Sequence, residues 1–270
     1  MHKIKIHALF IAALLMLPVI GHAQQVILYA AGSLEAALTD VSIAYEKATG
    51  NVVKTAFGPS GLMRQRIEKG EPVHVFASAN MKHPRMLADQ GRGAPVVLFA
   101  RNKLCAIAQP GIKVSSATLL DVLLNPDIRV GTSTPKADPS GDYAWELFNK
   151  AERLKSGSFR VLSGKALELT GGPDSRKAPK GRNKYAWVME EKKADIFLTY
   201  TTNAALARKE VPNLRIIHTP PALSVGADYG LMVFGDAPVQ AWQLAMFILA
   251  PEGQIILADY GFVAKALPAR

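Results

Sequence analysis

The strongest constraint on this chain is a short apolar run that ends at a Gly-Ser pair. The segment that follows has the apolar periodicity of a helix. Val26 to Ala31 is too short for a helix and has the continuous apolar character of a buried strand. From Leu34 onward, apolar residues recur at the spacing of one helix face. Ser33 stands at the junction, where an N-cap belongs. Because such a junction collects unpaired N–H groups and a positive dipole end, it predicts an anion site.

The same pattern returns once more in the first quarter of the chain. A second strand is predicted from Asn51 to Phe57, and Gly58-Pro59 makes a turn after it. Ser60 is placed to cap a short helix from Leu62 to Lys69. Two such junctions close together indicate a ligand held between the starts of two helices.

Strand-like and helix-like segments continue to alternate, which predicts parallel sheets with helices on both faces. Two apolar runs separated by Arg101-Asn102-Lys103 indicate a crossing from a first lobe into a second. The proline-containing loop 219–226 is predicted to cross back. The first lobe is therefore expected to comprise residues 24–103 and 225–270, and the second lobe residues 104–224.

The N-terminus has the features of a cleavable signal peptide. A basic start, His2-Lys3-Ile4-Lys5, precedes a nearly continuous apolar run from Ala8 to Ile20. The small residues of Gly21-His22-Ala23 then predict cleavage, so residues 1–23 are assigned to the signal peptide. The alternative is a membrane anchor, for which the apolar run is short. Because an exported chain with a single cysteine, Cys105, differs from a disulfide-stapled module, we expect the mature protein in a bacterial periplasm.

The charge of the chain favours an anionic ligand over nucleic acid. The formal net charge of +10 falls to +8 when Lys3 and Lys5 leave with the signal peptide. The basic residues are scattered and form neither a helix stripe nor a patch interleaved with aromatic residues. Export also argues against a nucleic-acid partner, so we expect the positive charge to serve solubility and an anionic ligand.

Several motifs, taken in order, resemble a known family. They are Tyr29-Ala-Ala-Gly-Ser-Leu34, Phe57-Gly-Pro-Ser-Gly61, Phe76-Ala-Ser-Ala-Asn80, Pro251-Glu-Gly-Gln and Asp259-Tyr-Gly-Phe262. Their order and spacing are similar to those of the periplasmic molybdate-binding proteins of ABC importers. The resemblance implies an α/β, two-lobed type II periplasmic-binding-protein fold, each lobe a mainly parallel sheet flanked by helices, with the ligand cleft between. It also implies a monomer without a cofactor that delivers an oxyanion to the membrane permease subunits.

The resemblance carries over ligand contacts residue by residue. The family takes them from serines in the first two loops, two helix starts and a tyrosine hydroxyl, which fall here on Ser33, Ser60, Ser140, Arg182 and Tyr200. At Ser140 the family commonly has a small apolar residue. Arg182 ends the loop 171–182, which is longer and more basic than the family pattern. His74 and Asn80 stand where many members have Asp, so the identity of the anion stays open.

A pocket of neutral donors suits molybdate or tungstate, which are the first choice. A fully ionised tetrahedral oxyanion has only acceptors, and hydroxyls and helix starts can satisfy all of them. A protonated anion would bury an unpaired O–H, at a cost on the order of 1–3 kcal/mol. Asp138 and Asp142 flank Ser140 and either offer an unwanted acceptor or cap the helix, and the cap is favoured.

Other readings of the sequence remain open. The same fold could bind sulfate, phosphate or an organic acid held by Arg182. An exported serine hydrolase is a third possibility, since Ser133-Thr-Pro-Lys136 matches S-x-x-K, although the partner motifs S-D-N and K-T-G are absent. His74 and His83 lack the paired spacing of metal ligands, so no metal site is predicted.

Overall fold

The computed structural model describes residues 25–264, so the predicted signal peptide, residues 1–23, lies outside the described part. The strands are β1 (Gln25–Ala31), β2 (Val52–Gly58), β3 (Val75–Ser78), β4 (Val97–Ala108), β5 (Val130–Ser133), β6 (Leu167–Thr170), β7 (Ile196–Tyr200), β8 (Arg215–His218), β9 (Gly226–Val233) and β10 (Val263–Ala264). The helices are α1 (Glu35–Thr49), α2 (Ser60–Glu68), α3 (Lys82–Ala88), α4 (Leu119–Leu124), α5 (Pro139–Leu154), α6 (Ser158–Lys165), α7 (Lys184–Glu190), α8 (Thr201–Glu210), α9 (Val239–Leu249) and α10 (Pro251–Asp259). Their alternation confirms the α/β class.

The strands form two halves of one curled sheet, each the centre of a lobe. In the first lobe, β1 pairs in parallel with β2 and β3, and β9 then continues antiparallel to β3. In the second lobe, β5 pairs in parallel with β6 and β7, and β4 lies antiparallel to β7 and β8. The predicted parallel pairing is therefore present at the core of each lobe, whereas the strands that connect the lobes run antiparallel.

Strand β4 passes from one lobe to the other without a break. The two apolar runs on either side of Arg101-Asn102-Lys103 belong to this one strand, because these three residues continue it and pair with β9. They are polar because this part of β4 lies at the crossing, where Asn102 Nδ2 donates to Thr202 Oγ1 at 2.8 Å. The pairing partners of β4 change beyond Lys103, while the full lobe boundaries stay a prediction.

The predicted serine caps of the first two helix starts are wrong. Ser33 lies inside a single 3-10 turn that precedes α1, and its hydroxyl contacts Tyr229 Oη at 3.0 Å. Ser60 is the first residue of α2, and its Oγ accepts a hydrogen bond from the N–H of Ala79 at 3.1 Å. In both cases the serine hydroxyl interacts with a residue distant in sequence and not with the N–H groups of the helix start.

Two other helix starts have side-chain caps, and the favoured cap at Asp138 is confirmed. Asp138 caps α5, where its Oδ1 accepts from the N–H of Ser140 at 3.0 Å. Asn183 caps α7 and accepts from the N–H groups of Tyr185 and Ala186, each at 3.0 Å. Asn and Asp are strong caps because their short side chains reach the unpaired N–H groups of the first turn.

Helix α6 and strand β6 were not predicted. Strand β6 is a short edge strand whose first residues, Leu167 and Glu168, are exposed, so it carries little of the buried apolar pattern of a strand. The segment before α6 is held by Glu152, whose carboxylate accepts the N–H groups of Gly157 and Phe159 at 2.9 and 2.8 Å. These hydrogen bonds from the side chain of a preceding helix produce no apolar periodicity from which α6 could have been predicted.

The closing helices pack on the first lobe. The ring of Phe247 in α9 meets Tyr45 of α1 edge to face, with the ring centroids 5.7 Å apart. Tyr45 also donates its hydroxyl to the carbonyl of Gln240 at 2.9 Å. Across residues 25–264, no single helix is long and apolar enough to cross a membrane. The pair α9 and α10 has the required length and composition only when the two helices are counted together, and they are bent by 57° against each other.

A buried histidine in α3 is expected to make stability pH-dependent. His83 is 3% exposed, and its ring nitrogens have no hydrogen-bond partner within the described residues. Burial, helped by the charges of Arg64 and Lys82, lowers the pKa of His83 to about 4. The unfolded chain takes up this proton at higher pH, so stability is fully present above the ordinary histidine pKa and falls as the pH drops below it. The expected loss from this residue is about 3 kcal/mol by about pH 4.

Urea unfolding at several pH values measures this loss. His83→Leu removes the titrating ring and should reduce the fall in the free energy of unfolding on acidification. The control is His218→Gln, at an exposed site, which should leave the fall unchanged. An equal pH dependence in wild type and His83→Leu would contradict the assignment.

Candidate anion-binding cleft

A cavity of about 610 Å³ opens between the lobes, directly over the junction between β1 and α1. Its first-lobe wall comes from the start of α1 and the end of β2, and its second-lobe wall from the start of α7 and one face of α8. The lining residues are Gly32, Glu35, Ala36, Phe57, Gly58, Gly181, Arg182, Asn183, Lys184, Tyr185, Asn203, Leu206, Lys209 and Glu210. The junction that the sequence indicated as an anion site therefore faces the cleft.

Ser33 shares this junction with a tyrosine that the sequence analysis missed. Tyr229 of β9 is fully buried, and its hydroxyl lies 3.0 Å from Ser33 Oγ and accepts from Asn102 Nδ2 at 3.4 Å. Burial raises the pKa of Tyr229 far above its usual value, so the hydroxyl stays protonated. Tyr229 follows a half-buried aspartate on a strand, a pattern that also fits an ordinary core tyrosine, so the sequence offered no distinctive signal.

Tyr200 and Ser140 contribute buried hydroxyls from the second lobe. Tyr200 is 1% exposed and its ring reaches into the first-lobe core, 5.8 Å from the ring of Tyr229. Within residues 25–264, neither Tyr200 Oη nor Ser140 Oγ has a hydrogen-bond partner. A buried hydroxyl without a partner costs on the order of 1–3 kcal/mol. A ligand with acceptor oxygens would remove that cost, although neither residue is among those that line the cavity.

Ser60 is deeper and has a structural role. It is fully buried, and its Oγ accepts the N–H of Ala79 at the end of β3. A hydroxyl that accepts one hydrogen bond can still donate another, so Ser60 retains a donor that a ligand could use. Ser60 therefore fits both a ligand contact and a tie between α2 and the first-lobe sheet.

The start of α2 also touches the second lobe. The N–H of Gly61 donates to the carbonyl of Ala137 at 2.8 Å, which joins the two lobes backbone to backbone. A Cβ on Gly61 would lie 2.3 Å from the carbonyl oxygen of Lys136 and 2.7 Å from that of Ala137. Only glycine allows this approach, and the contact shows that the lobes are closed on each other.

The first N–H groups of α5 are already used within the second lobe. Asp138, which is 6% exposed, accepts the N–H of Ser140 through its side chain and that of Gly141 through its carbonyl, the latter at 2.8 Å. Asp142 accepts the N–H of Lys136 at 2.8 Å, and burial raises the pKa of Asp142. The backbone contact that the family pattern implies at Ser140 is thus occupied, and the Ser140 hydroxyl is the donor left for a ligand.

Arg182 lines the cleft, but its charge is engaged by two acids. Its guanidinium donates to Glu190 at 2.6 Å and also to Glu210. These bonds raise the pKa of Arg182 and hold the side chain at the rim. The charge of Arg182 is therefore satisfied by two carboxylates of the second lobe.

Lys184 is the cation that the sequence analysis missed. It is the first residue of α7, and its Nζ lies 3.3 Å from the position that a Cβ on Gly32 would take. Burial disfavours its charge, but Tyr185, Asp138 and Glu35 outweigh burial and raise the pKa of Lys184. A lysine immediately after Asn183, a residue type that favours helix caps, was the available signal, because that position places a side chain beside the helix start.

The serine of the S-x-x-K match is not an exposed nucleophile. Ser133 is fully buried in β5, and its Oγ lies 2.9 Å from Thr170 Oγ1. Lys136 lies beyond the end of the strand in a left-handed turn, with φ of 67°. A hydrolase needs a nucleophile that a substrate can reach, so this geometry argues against the hydrolase alternative.

Comparisons with known proteins identify relatives. The profile of the bacterial extracellular solute-binding proteins matches residues 26–263. The chain is 39% identical over 213 residues to an uncharacterized protein of Pasteurella multocida, covering 78% of this chain and 87% of the relative. It is 26% identical over 272 residues to the molybdate-binding protein of Escherichia coli, covering 95% and 97%.

The fold is shared with solved binding proteins that differ in ligand. The sulfate-binding protein SubI from Mycobacterium tuberculosis superposes with a TM-score of 0.73 at 16% identity, covering 89% of this chain and 87% of that one. At that identity the likeness concerns the fold, which is the two-lobed type II arrangement. Together, the cleft between lobes, the match along nearly all the described residues and the relatives show that the chain belongs to the bacterial extracellular solute-binding proteins, the ligand-capturing components of ABC importers.

Proposed function

We propose that this protein captures a small oxyanion in the periplasm, as a monomer, and delivers it to the membrane permease of an ABC importer. Molybdate and tungstate are the first candidates. The observation that carries this proposal is the pair of buried hydroxyls, Ser140 Oγ and Tyr200 Oη, that have no partner within the described residues. No catalytic step is part of the proposed role.

The donors around the junction suit an anion with several acceptor oxygens. Ser33, Tyr229 and Tyr200 are neutral hydroxyls, and the start of α1 adds a positive dipole end. A tetrahedral oxyanion between the lobes could accept from each of them, which would tie ligand binding to lobe closure. The name of the Escherichia coli relative, molybdate-binding protein, supports the same ligand class.

A second candidate is an organic anion, such as a phosphate ester or a carboxylate. The cavity of about 610 Å³ lies in the size range of pockets for small organic molecules. Lys184 adds a cation to the set of neutral donors, and the carboxylate of Asp138 adds an acceptor. In this version the anionic group is held by Lys184, because Arg182 is bonded to Glu190 and Glu210.

Thermal shifts and calorimetry with one panel of anions test the proposal. The panel contains molybdate, tungstate, sulfate, phosphate, small carboxylates and a phosphate monoester. A ligand at about a hundred times its Kd should stabilise the protein by about 2.7 kcal/mol, so a cognate anion gives a clear shift. A large shift with molybdate or tungstate supports the first candidate, and a shift only with an ester or carboxylate supports the second. A protein that responds to none of these anions would overturn the proposal.

Two serine variants should separate binding from stability. Ser33→Ala is expected to weaken anion binding by up to about tenfold with little loss of stability, because water can replace the hydroxyl at this half-buried site. Ser60→Ala leaves the buried N–H of Ala79 unpaired, so it should lower the free energy of unfolding by about 1–3 kcal/mol. Calorimetric titration and urea unfolding measure the two effects. If Ser33→Ala bound the anion with unchanged affinity, Ser33 would be removed from the proposed site.

A further inference from the structure

Lys184 reaches from the second lobe to the start of a first-lobe helix. Its backbone begins α7, and its Nζ lies 3.3 Å from the Cβ position of Gly32, the residue before Ser33. The ammonium is also 5.1 Å from the centre of the Tyr185 ring. The tip of this one side chain therefore sits at the junction between β1 and α1 while its backbone belongs to the opposite wall of the cleft.

The ammonium lacks a close counter-charge. Within residues 25–264, no carboxylate lies within salt-bridge distance of Lys184; the ion pairs of this wall join Arg182 to Glu190 and Glu210 instead. Asp138 and Glu35 influence its charge from further away. The start of α1 carries a positive dipole end together with the Glu35 carboxylate in its first turn, and the ammonium of Lys184 faces it across the cleft. An anion placed between them would be attracted by both.

A second observation is a buried hydroxyl without a partner that is linked to this junction through Tyr229. Tyr200 is 1% exposed, its hydroxyl has no partner within the described residues, and its ring lies 5.8 Å from Tyr229, which contacts Ser33. These hydroxyls supply donors but no charge. Lys184 is the group that would distinguish a doubly charged anion from a singly charged anion of the same shape, because its electrostatic attraction to the ligand scales with the ligand charge.

We propose that Lys184 is a specificity-determining contact that compensates the charge of the bound anion, and that the site selects dianions over monoanions of equal size. This inference rests on the proposed function. A dianion placed between the ammonium and the N–H groups of the helix start would contact both walls of the cleft, so ligand charge favours the closed lobes.

Isosteric anions of different charge test the proposal. Molybdate and perrhenate are both tetrahedral, with charges of −2 and −1, and their Kd values are measured by calorimetry. Wild type should bind molybdate at least about tenfold tighter than perrhenate. Lys184→Met should weaken molybdate binding by about tenfold to a hundredfold and perrhenate binding much less, so the preference shrinks. Lys184→Arg keeps the charge and should restore most of the preference.

Lys180→Met is the matched control, because it removes an exposed lysine of the same segment and should leave both affinities unchanged. Thermal unfolding without ligand checks that each variant is folded. If the panel selects an organic ligand, the matched pair becomes a phosphate monoester and a sulfate ester of one alcohol. An unchanged ratio in Lys184→Met, with wild-type binding intact, would overturn this inference alone. A wild-type protein that binds no anion would overturn the proposed function and this inference together.

Discussion

Gly61→Ala is expected to weaken ligand binding by a hundredfold or more while both lobes remain folded. The added Cβ would lie 2.3 Å from the carbonyl oxygen of Lys136, and this oxygen belongs to backbone that cannot rotate away. The lobes must then stay apart, which also breaks the bond between the Gly61 N–H and Ala137. A loss of about 3 kcal/mol in closure free energy corresponds to roughly a hundredfold in affinity. The first lobe itself should gain slightly, because alanine favours a helix more than glycine does.

Calorimetry measures the ligand affinity of the variant, and small-angle scattering measures whether its lobes close. The variant should give a weak or absent binding isotherm, and its radius of gyration should stay larger than that of the ligand-bound wild type. Gly164→Ala is the matched control: Gly164 is also in a helix, but nothing lies within 4 Å of its Cβ position. Wild-type affinity in Gly61→Ala would show that the contact between α2 and Ala137 is not required for the bound state.

The double variant Tyr200→Phe, Ser140→Ala is expected to lose binding without losing stability. Both hydroxyls are buried and have no partner within residues 25–264, so their removal deletes a cost in the ligand-free protein. In the complex, each would donate to a charged ligand, and such a bond contributes about 1.5–3 kcal/mol. If the two effects add, affinity should fall by roughly two to four orders of magnitude.

Tyr45→Phe is the contrasting control. Tyr45 is also buried, at 1% exposed, but its hydroxyl donates to the carbonyl of Gln240 at 2.9 Å. Its removal should cost about 1 kcal/mol of stability and leave the affinity unchanged. Urea unfolding and calorimetric titration of both variants distinguish the two cases. A double variant that is strongly destabilised, or that binds as wild type does, would mean that the two hydroxyls serve the fold rather than the ligand.

Much of the architecture followed from local patterns in the chain. The strand before Gly32 and the helix after it were visible because burial imposes a continuous apolar run on one and a single apolar face on the other. The caps Asp138 and Asn183 were also predictable, since a cap and its N–H partners are neighbours in sequence. The two apolar runs on either side of Arg101-Asn102-Lys103 were not recognised as one continuous strand, because the three polar residues interrupt the apolar pattern.

The candidate site was only partly predictable. Ser33, Ser60, Ser140 and Tyr200 were chosen from motifs, and the structure gives their hydroxyls three different states. Ser33 contacts Tyr229, Ser60 accepts from Ala79, and Ser140 and Tyr200 have no partner within the described residues. Their role as ligand contacts stays a prediction. Arg182 was carried over with the same motifs as a contact at a helix start, yet Glu190 and Glu210 engage its side chain.

Composition and periodicity were sufficient for the α/β class and the strand-to-helix junction, because both depend on interactions between residues close in the chain. Tertiary packing decided which donors remain free and which cation faces the junction, because those outcomes depend on partners far away in sequence. Glu210 engages Arg182 and Ala79 occupies Ser60, whereas Lys184 extends to Gly32 from the opposite lobe. Hydrogen bonds and charges act over a few ångströms in space, and only the folded chain determines which groups come that close.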